Sequence, residues 1–196
     1  HNVVSSLGES ACNGLIDSGV LPVIKHIPGH GKAIVDSHKE LPKITQSIVS
    51  LERSDFLPFQ ALSKMPIAMT AHILYTNIDE KLPITQSKKA YEYIRNVIQY
   101  EGILLSDDID MLALSGSIKN KVESIIKAGF DIILHCSGNI NDVNQVLVNT
   151  PILNKNLSSK LKISLDKIEN TFIENNKELY KKEINKIFYD LLKIDS

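Results

Sequence analysis

Three things are scarce in this 196-residue chain, and each scarcity removes a class of explanation. Cysteine occurs only twice, at Cys12 and Cys136, too far apart for a CxxC pair, so neither a disulfide framework nor a cysteine-based zinc site accounts for the sequence. The two read instead as reduced thiols of a cytoplasmic protein. No apolar run approaches the roughly 18 residues that a membrane-spanning helix requires, and no signal-peptide pattern opens the chain. Charge of either sign is not in excess: 22 basic and 23 acidic residues leave a formal net charge of −1, with no electrostatic footprint for nucleic acid or an anionic membrane. A neutral, polar small molecule is the ligand class that remains. At 43% hydrophobic residues the chain carries enough apolar material for a core, and its length predicts roughly one domain.

What the sequence does have is a dense polar segment. Lys25-His26-Ile27-Pro28-Gly29-His30-Gly31, followed by Asp36-Ser37-His38, brings three histidines, a carboxylate and two loop glycines into fourteen positions. It follows directly on the apolar run Val20 to Ile24, and polar chemistry released at the end of a short buried strand is how α/β enzymes build active sites.

The rest of the chain repeats a strand, loop, helix pattern. An opening helix carries Val3, Val4, Leu7, Ala11, Leu15 and Ile16 near helical spacing and stops at Gly19. Thr45 is placed to cap a helix through Ile48, Val49, Leu51 and Leu62, which Pro58 should split in two. Ile67 to Ala71 reads as a second strand ending at His72. Ser87 opens a helix through Tyr91, Ile94, Val97 and Ile98, and Ile103 to Leu105 forms a third strand ending in Ser106-Asp107-Asp108-Ile109-Asp110-Met111. A helix through Val122, Ile125 and Ile126 stops near Gly129, and Phe130 to Leu134 forms a fourth strand ending at His135-Cys136-Ser137-Gly138. Strands alternating with helices imply right-handed βαβ units and a parallel sheet. Beyond residue 150, Leu161, Leu165, Ile168 and Phe172, then Ile184, Ile187, Phe188, Leu191 and Leu192, mark two amphipathic helices expected on the exterior. The domain division is therefore 1–150 for the repeating part and 151–196 for the terminal helices.

The segment 25–31 with Asp36 to Pro42, then Asp55-Phe-Leu-Pro-Phe59, Met69-Thr-Ala-His72 and Ser106-Asp-Asp-Ile-Asp-Met111, resembles the bacterial β-N-acetylglucosaminidases of glycoside hydrolase family 3. The five motifs stand in the family's order. The resemblance implies a (β/α)8 TIM barrel, of which these residues would form the second half. A whole barrel takes about 250 residues, and four strands are visible where eight are needed, so an N-terminal half carrying further sugar ligands is expected to lie elsewhere.

The resemblance also implies roles. Asp107 would attack the anomeric carbon, as an ionised carboxylate able to form and later release a covalent glycosyl-enzyme. On the residues alone it reads equally well as a cap for the following helix, with Asp108 and Asp110 as supporting carboxylates. His38 would be the acid/base, with Asp36 fixing its tautomer, since imidazole titrates near neutrality. Without the resemblance, Asp36-Ser37-His38 reads as a turn. Lys25 and His26 would donate hydrogen bonds to sugar hydroxyls. Gly29 and Gly31 permit close backbone approach beneath His30. His72 and His135 sit at strand ends as supporting or core histidines. Arg53 and Arg95 stand in no matching motif. No HExxH or comparable ligand spacing occurs, so no metal and no cofactor are expected.

The function implied is retaining hydrolysis of terminal, non-reducing β-linked N-acetylglucosamine, with muropeptide sugars of bacterial cell-wall recycling as substrates and the cytoplasm as setting. Three rivals stay open. Phosphate rather than water could resolve the intermediate; the chain could be an inactive remnant or a subunit needing a separate N-terminal half; or it could bind sugar through Lys25 and His26 without turnover.

Overall fold

Four short apolar runs, each too brief to satisfy its own main chain, pair with one another into a four-stranded sheet in the computed structural model, which describes residues 1–169 and 181–187. In chain order the elements are α1 (Asn2–Asp17), β1 (Val23–Ile27), β2 (Lys43–Ile44), α2 (Ile48–Glu52), α3 (Leu57–Ala61), β3 (Ile67–Thr70), β4 (Leu74–Tyr75), α4 (Lys88–Asn96), β5 (Ile103–Asp108), α5 (Ile118–Ala128), β6 (Ile132–Leu134), α6 (Ile140–Asn149) and α7 (Lys155–Glu169). The main sheet runs β1-β3-β5-β6 and is parallel throughout. A parallel pair needs a crossover, and each crossover here carries helix, which covers the sheet. Strand residues Ile24, Ile27, Ala68 and Leu104 and helix residues Ile94, Val122 and Ile125 meet in one core. Each fully buried aliphatic side chain of this kind contributes about 1.5–3 kcal/mol.

Local chemistry explains most boundaries. Pro58 splits the predicted helix as expected, into α2 and α3, because its ring sits where a helix begins rather than continues. The cap of α2 is Ser47 rather than Thr45: the Ser50 amide donates to Ser47 Oγ at 3.3 Å. Ser87 caps α4 through the Ala90 amide at 3.1 Å, and α5 ends at Gly129. Strand boundaries moved more. β1 extends to Ile27, so Lys25 and His26 lie inside the strand instead of leaving its end, and β5 extends to Asp108, so Asp107 is a strand residue. Neighbouring strands supplied those extra rungs, Lys25 beside Met69 and Asp108 beside Leu134, which no single-strand pattern encodes.

Two features had no expectation. The short parallel pair β2 and β4 forms because Lys43–Ile44 and Leu74–Tyr75 are brought alongside by the loops that follow β1 and β3. Helix α6 starts at Asn139, whose side chain accepts from the Asn141 amide at 2.9 Å. The first of the two terminal helices is α7, which contains Leu161, Leu165 and Ile168 and buries Leu157. It meets the sheet at the start of β5, where Lys160 Nζ donates to the Glu101 carbonyl at 3.2 Å. Of the second, Ile184 and Ile187 lie in a helical stretch and are exposed, while Phe172, Phe188, Leu191 and Leu192 lie outside the described residues.

Candidate active site

Parallel strands put all their carboxyl ends at one edge of the sheet, and that is where this chain's reactive side chains collect. β1 delivers Lys25 and His26, the residue after β3's loop entry is His72, β5 ends on Asp107 and Asp108, and His135 follows β6. The peptides Lys25–His26 and Ile27–Pro28 are cis.

The loop that leaves β1 is pinned along its length. Tyr75 Oη donates to the Gly29 carbonyl at 2.8 Å, and a Cβ at Gly29 would meet Asp55 Cβ at 3.1 Å and the Asp55 carbonyl at 3.2 Å. That approach accounts for the glycine. Lys32 pairs with Asp55 at 3.8 Å. Further on, the Leu112 and Ala113 amides donate to the His38 and Ser37 carbonyls at 3.4 and 3.2 Å. The loop is thereby docked on the turn that follows Asp107.

Asp36 and His38 form a pair, as the sequence suggested. His38 Nδ1 lies 3.0 Å from Asp36 Oδ1, and the His38 amide donates to the same oxygen at 2.9 Å. The main-chain donor, then the ring, holds the Asp36 carboxyl below its ordinary value. Both side chains are open to solvent, with 76% of His38 and 50% of Asp36 exposed. With Nδ1 committed to Asp36, Nε2 is the nitrogen left to act on a ligand.

Asp107 is held from both sides. The Asp108 amide donates to its Oδ1 at 2.8 Å, and His26 Nε2 stands 3.4 Å from its Oδ2. Burial pushes the His26 pKa down while Asp107 pulls it up and Lys25, His30 and His72 oppose. The His30 ring sits 5.5 Å from that of His26. Lys25 is exposed and lines, with His26, Gly29, His30 and Phe59, a cavity of about 680 Å³ that runs between β1 and α1. Asp107, Asp36 and His38 do not line it. The cavity is thus an apolar trough beside the reactive groups, and the polar pairs rather than the trough mark the chemistry. Among the described residues no hydrogen bond or ion pair joins His38 to Asp107; the structure brings together two pairs, not one constellation.

Asp108 and Asp110 turn out to staple strand ends. Asp108 Oδ1 accepts from the Asp110 and Cys136 amides at 3.1 and 3.0 Å. Asp110 Oδ2 accepts from the Ser137 amide at 3.2 Å and lies 3.0 Å from His135 Nδ1. That last contact is not aligned as a hydrogen bond, so His135 Nδ1 lies beside the carboxylate without a hydrogen-bond partner among the described residues. Asp108, Asp110 and His135 are the residues able to offer three metal ligands, with donor atoms within 4.8 Å of one another. No sequence spacing announced them, because the histidine comes from a different strand end. Arg95 is structural: it donates to the Tyr100 and Gly102 carbonyls at 2.8 and 2.7 Å and to Asp131 at 3.0 Å.

One buried group escaped sequence reasoning. Lys121 is only 9% exposed and donates from Nζ to the Ile109 carbonyl at 2.7 Å, two residues beyond Asp107. The signal was present: it lies one turn before Ile125, on the buried face of an amphipathic helix.

Comparison with known proteins places the chain in a family. Residues 1–168 match the glycosyl hydrolase family 3 N terminal domain. A β-hexosaminidase of Alkalilimnicola ehrlichii is 37% identical over 131 residues, which cover 63% of this chain and 37% of that protein. The crystal structure of a glycoside hydrolase family 3 β-N-acetylglucosaminidase from Paenibacillus sp. superposes with a TM-score of 0.70 at 26% identity, covering 86% of this chain and 34% of the other. NagZ from Neisseria gonorrhoeae, solved in complex with N-trifluoroacetyl-D-glucosamine, gives 0.72 at 27% identity, covering 88% and 51%. The chain therefore spans between about a third and a half of the length of these relatives.

Proposed function

Because the chain belongs to glycosyl hydrolase family 3, through the N-terminal domain of that family, we propose that it carries the nucleophile and the acid/base of a retaining β-N-acetylglucosaminidase. Asp107 is the nucleophile and His38, oriented by Asp36, is the acid/base. The observation that carries this reading is the pair of carboxylate–histidine contacts at the carboxyl end of one parallel sheet, Asp36 with His38 at 3.0 Å and Asp107 with His26 at 3.4 Å.

The chemistry runs in two balanced steps. Asp107 attacks the anomeric carbon while His38 Nε2–H protonates the departing glycosidic oxygen, leaving a glycosyl ester and neutral imidazole. Water then attacks the same carbon, His38 Nε2 takes its proton, and the ester carboxylate leaves. Asp36 suits its part: accepting from His38 Nδ1 places the transferable proton on Nε2. Lys25 and His26 supply donors to the sugar, and the amide donor at Asp107 Oδ1 leaves the anionic oxygen beside His26 available for attack.

We extend the reading to the substrate and setting. N-acetylglucosaminyl muropeptide sugars in the cytoplasm fit the resemblance, and a ligand bound to the Neisseria relative, N-trifluoroacetyl-D-glucosamine, belongs to the same sugar class. No helix among the described residues is long and apolar enough to cross a membrane.

A direct test uses 4-nitrophenyl β-N-acetylglucosaminide together with a slow 5-fluoro glycosyl donor that accumulates the covalent species. Peptide mass spectrometry should find the sugar on the peptide containing Asp107, and product release should not depend on phosphate. Turnover with the label elsewhere would refute the nucleophile assignment, and release that requires phosphate would make the protein a phosphorylase.

A further inference from the structure

The strand end that presents Asp107 is gripped by buried side chains from outside its own strand. His72 is fully buried, and its Nε2 lies 3.0 Å from the Asp108 carbonyl. Its Nδ1 lies 2.8 Å from Thr85 Oγ1, which in turn lies 2.8 Å from Thr70 Oγ1, both threonines also fully buried.

The hydrogens in this chain can be placed by elimination. A carbonyl oxygen only accepts, so His72 Nε2 must carry the proton. In a singly protonated ring Nδ1 is then an acceptor, and the Thr85 hydroxyl is the donor within reach of it. Thr85 then accepts from Thr70, and its hydroxyl hydrogen is shared between His72 Nδ1 and the Ala71 carbonyl, to which it donates at 3.2 Å. The order runs one way, from Thr70 through Thr85 and His72 to the Asp108 carbonyl.

The consequences reach the reacting atom in one residue. The Asp108 amide donates to Asp107 Oδ1 at 2.8 Å. The peptide on the far side of Asp108 is held at both ends, by His72 on its carbonyl and by the Leu134 carbonyl, which accepts from the Ile109 amide at 3.1 Å. Lys121 Nζ holds the next carbonyl, that of Ile109, at 2.7 Å.

We propose that His72, locked as its neutral Nε2–H tautomer by Thr85, is a positioning residue for Asp107, acting through the main chain of Asp108. This rests on the hydrolase reading for its effect on rate, but not for its effect on structure. Asp107, Asp108 and Lys121 are the charged groups facing His72, and His26 faces it across the site. Burial outweighs the carboxylates and holds the ring neutral.

The test compares His72→Leu, which removes the donor at similar volume, His72→Gln, whose amide can still donate to the Asp108 carbonyl, and Thr85→Val, which removes only the orienting hydroxyl. In the 196-residue chain, nitrogen-15 imidazole spectra should show His72 as the Nε2–H tautomer. Exchange of the Asp108 amide should quicken at least tenfold in His72→Leu and less in His72→Gln. With activity in hand, kcat should fall by about 10²-fold in His72→Leu with KM little changed, since misplacing a reacting group costs on that order; His72→Gln should recover part of it. An Nδ1–H tautomer, or unchanged Asp108 exchange and kcat in His72→Leu, would overturn the proposal. If the protein, assayed together with its N-terminal half, hydrolyses nothing, the hydrolase reading fails while the tautomer and exchange data still decide this one. If His72→Leu does not fold, the tautomer and Thr85→Val, expected to quicken Asp108 exchange, decide it.

Discussion

Asp107 and Asp108 are adjacent carboxylates, and the proposed function gives them opposite work, which alanine substitution can separate. Asp108 Oδ1 accepts two main-chain amides, from Asp110 and from Cys136, the second of which crosses from β5 to β6. Hydrogen bonds to a charged acceptor contribute about 1.5–3 kcal/mol when buried; at this half-open site the low end applies, so Asp108→Ala should cost about 2–3 kcal/mol. With a urea dependence of about 2 kcal/mol per molar for a chain of this size, the unfolding midpoint should fall by about 1 M or slightly more. Asp108→Asn retains the accepting oxygen and should lose less than half of that. Asp107 accepts from its neighbour's amide and otherwise meets only the His26 ring, at 3.4 Å, among the described contacts, so Asp107→Ala should change stability by less than about 1 kcal/mol. Turnover should show the reverse order: abolished in Asp107→Ala, retained in Asp108→Asn. The measurements are urea unfolding followed by circular dichroism and hydrolysis of an aryl N-acetylglucosaminide. If Asp107→Ala destabilises as much as Asp108→Ala, or Asp108→Ala leaves the midpoint unmoved, the division of labour is wrong.

Other consequences can be checked beside it. Removing Asp107 takes away the charge that raises the His26 pKa, so in Asp107→Ala the His26 ring should titrate lower still, as proton NMR would show; a rise would contradict the contact. His26 and His72 both have pKa values depressed by burial below the ordinary 6.5, so the unfolded chain binds more protons. Their contribution to stability is complete above pH 6.5 and is lost as pH falls from there toward the folded values, which urea titrations at pH 7.5 and 5.5 would reveal. His38→Ala should slow substrates with poor leaving groups by about 10²–10⁴-fold while sparing activated aryl glycosides; a uniform loss would make His38 a binding residue. A Cβ at Gly102 would fall 2.6 Å from the Met65 and Pro66 carbonyls, main-chain atoms that cannot rotate away, so Gly102→Ala should cost at least about 2 kcal/mol, and an unchanged melting temperature would refute the packing.

The sequence alone determined the alternation of strands and helices, because apolar runs and helical periodicity are properties of neighbouring residues. It also determined the split at Pro58 and the cap at Ser87, whereas the pairing of Asp36 with His38 was implied only by the family resemblance, since on its residues alone that segment reads as a turn. Only the tertiary structure decided what depends on distance along the chain. The ends of β1 and β5 were set by rungs that Met69 and Leu134 supply. Asp107 met His26, 81 positions away in the sequence, only because parallel strands bring their carboxyl ends to one edge. The same packing turned Asp108 and Asp110 into staples for the end of β6, and placed His72 and Lys121 against the carbonyls beyond Asp107. A side chain's type is written in the sequence; whether it reacts, caps or holds its neighbour depends on which distant main-chain groups the sheet leaves within its reach.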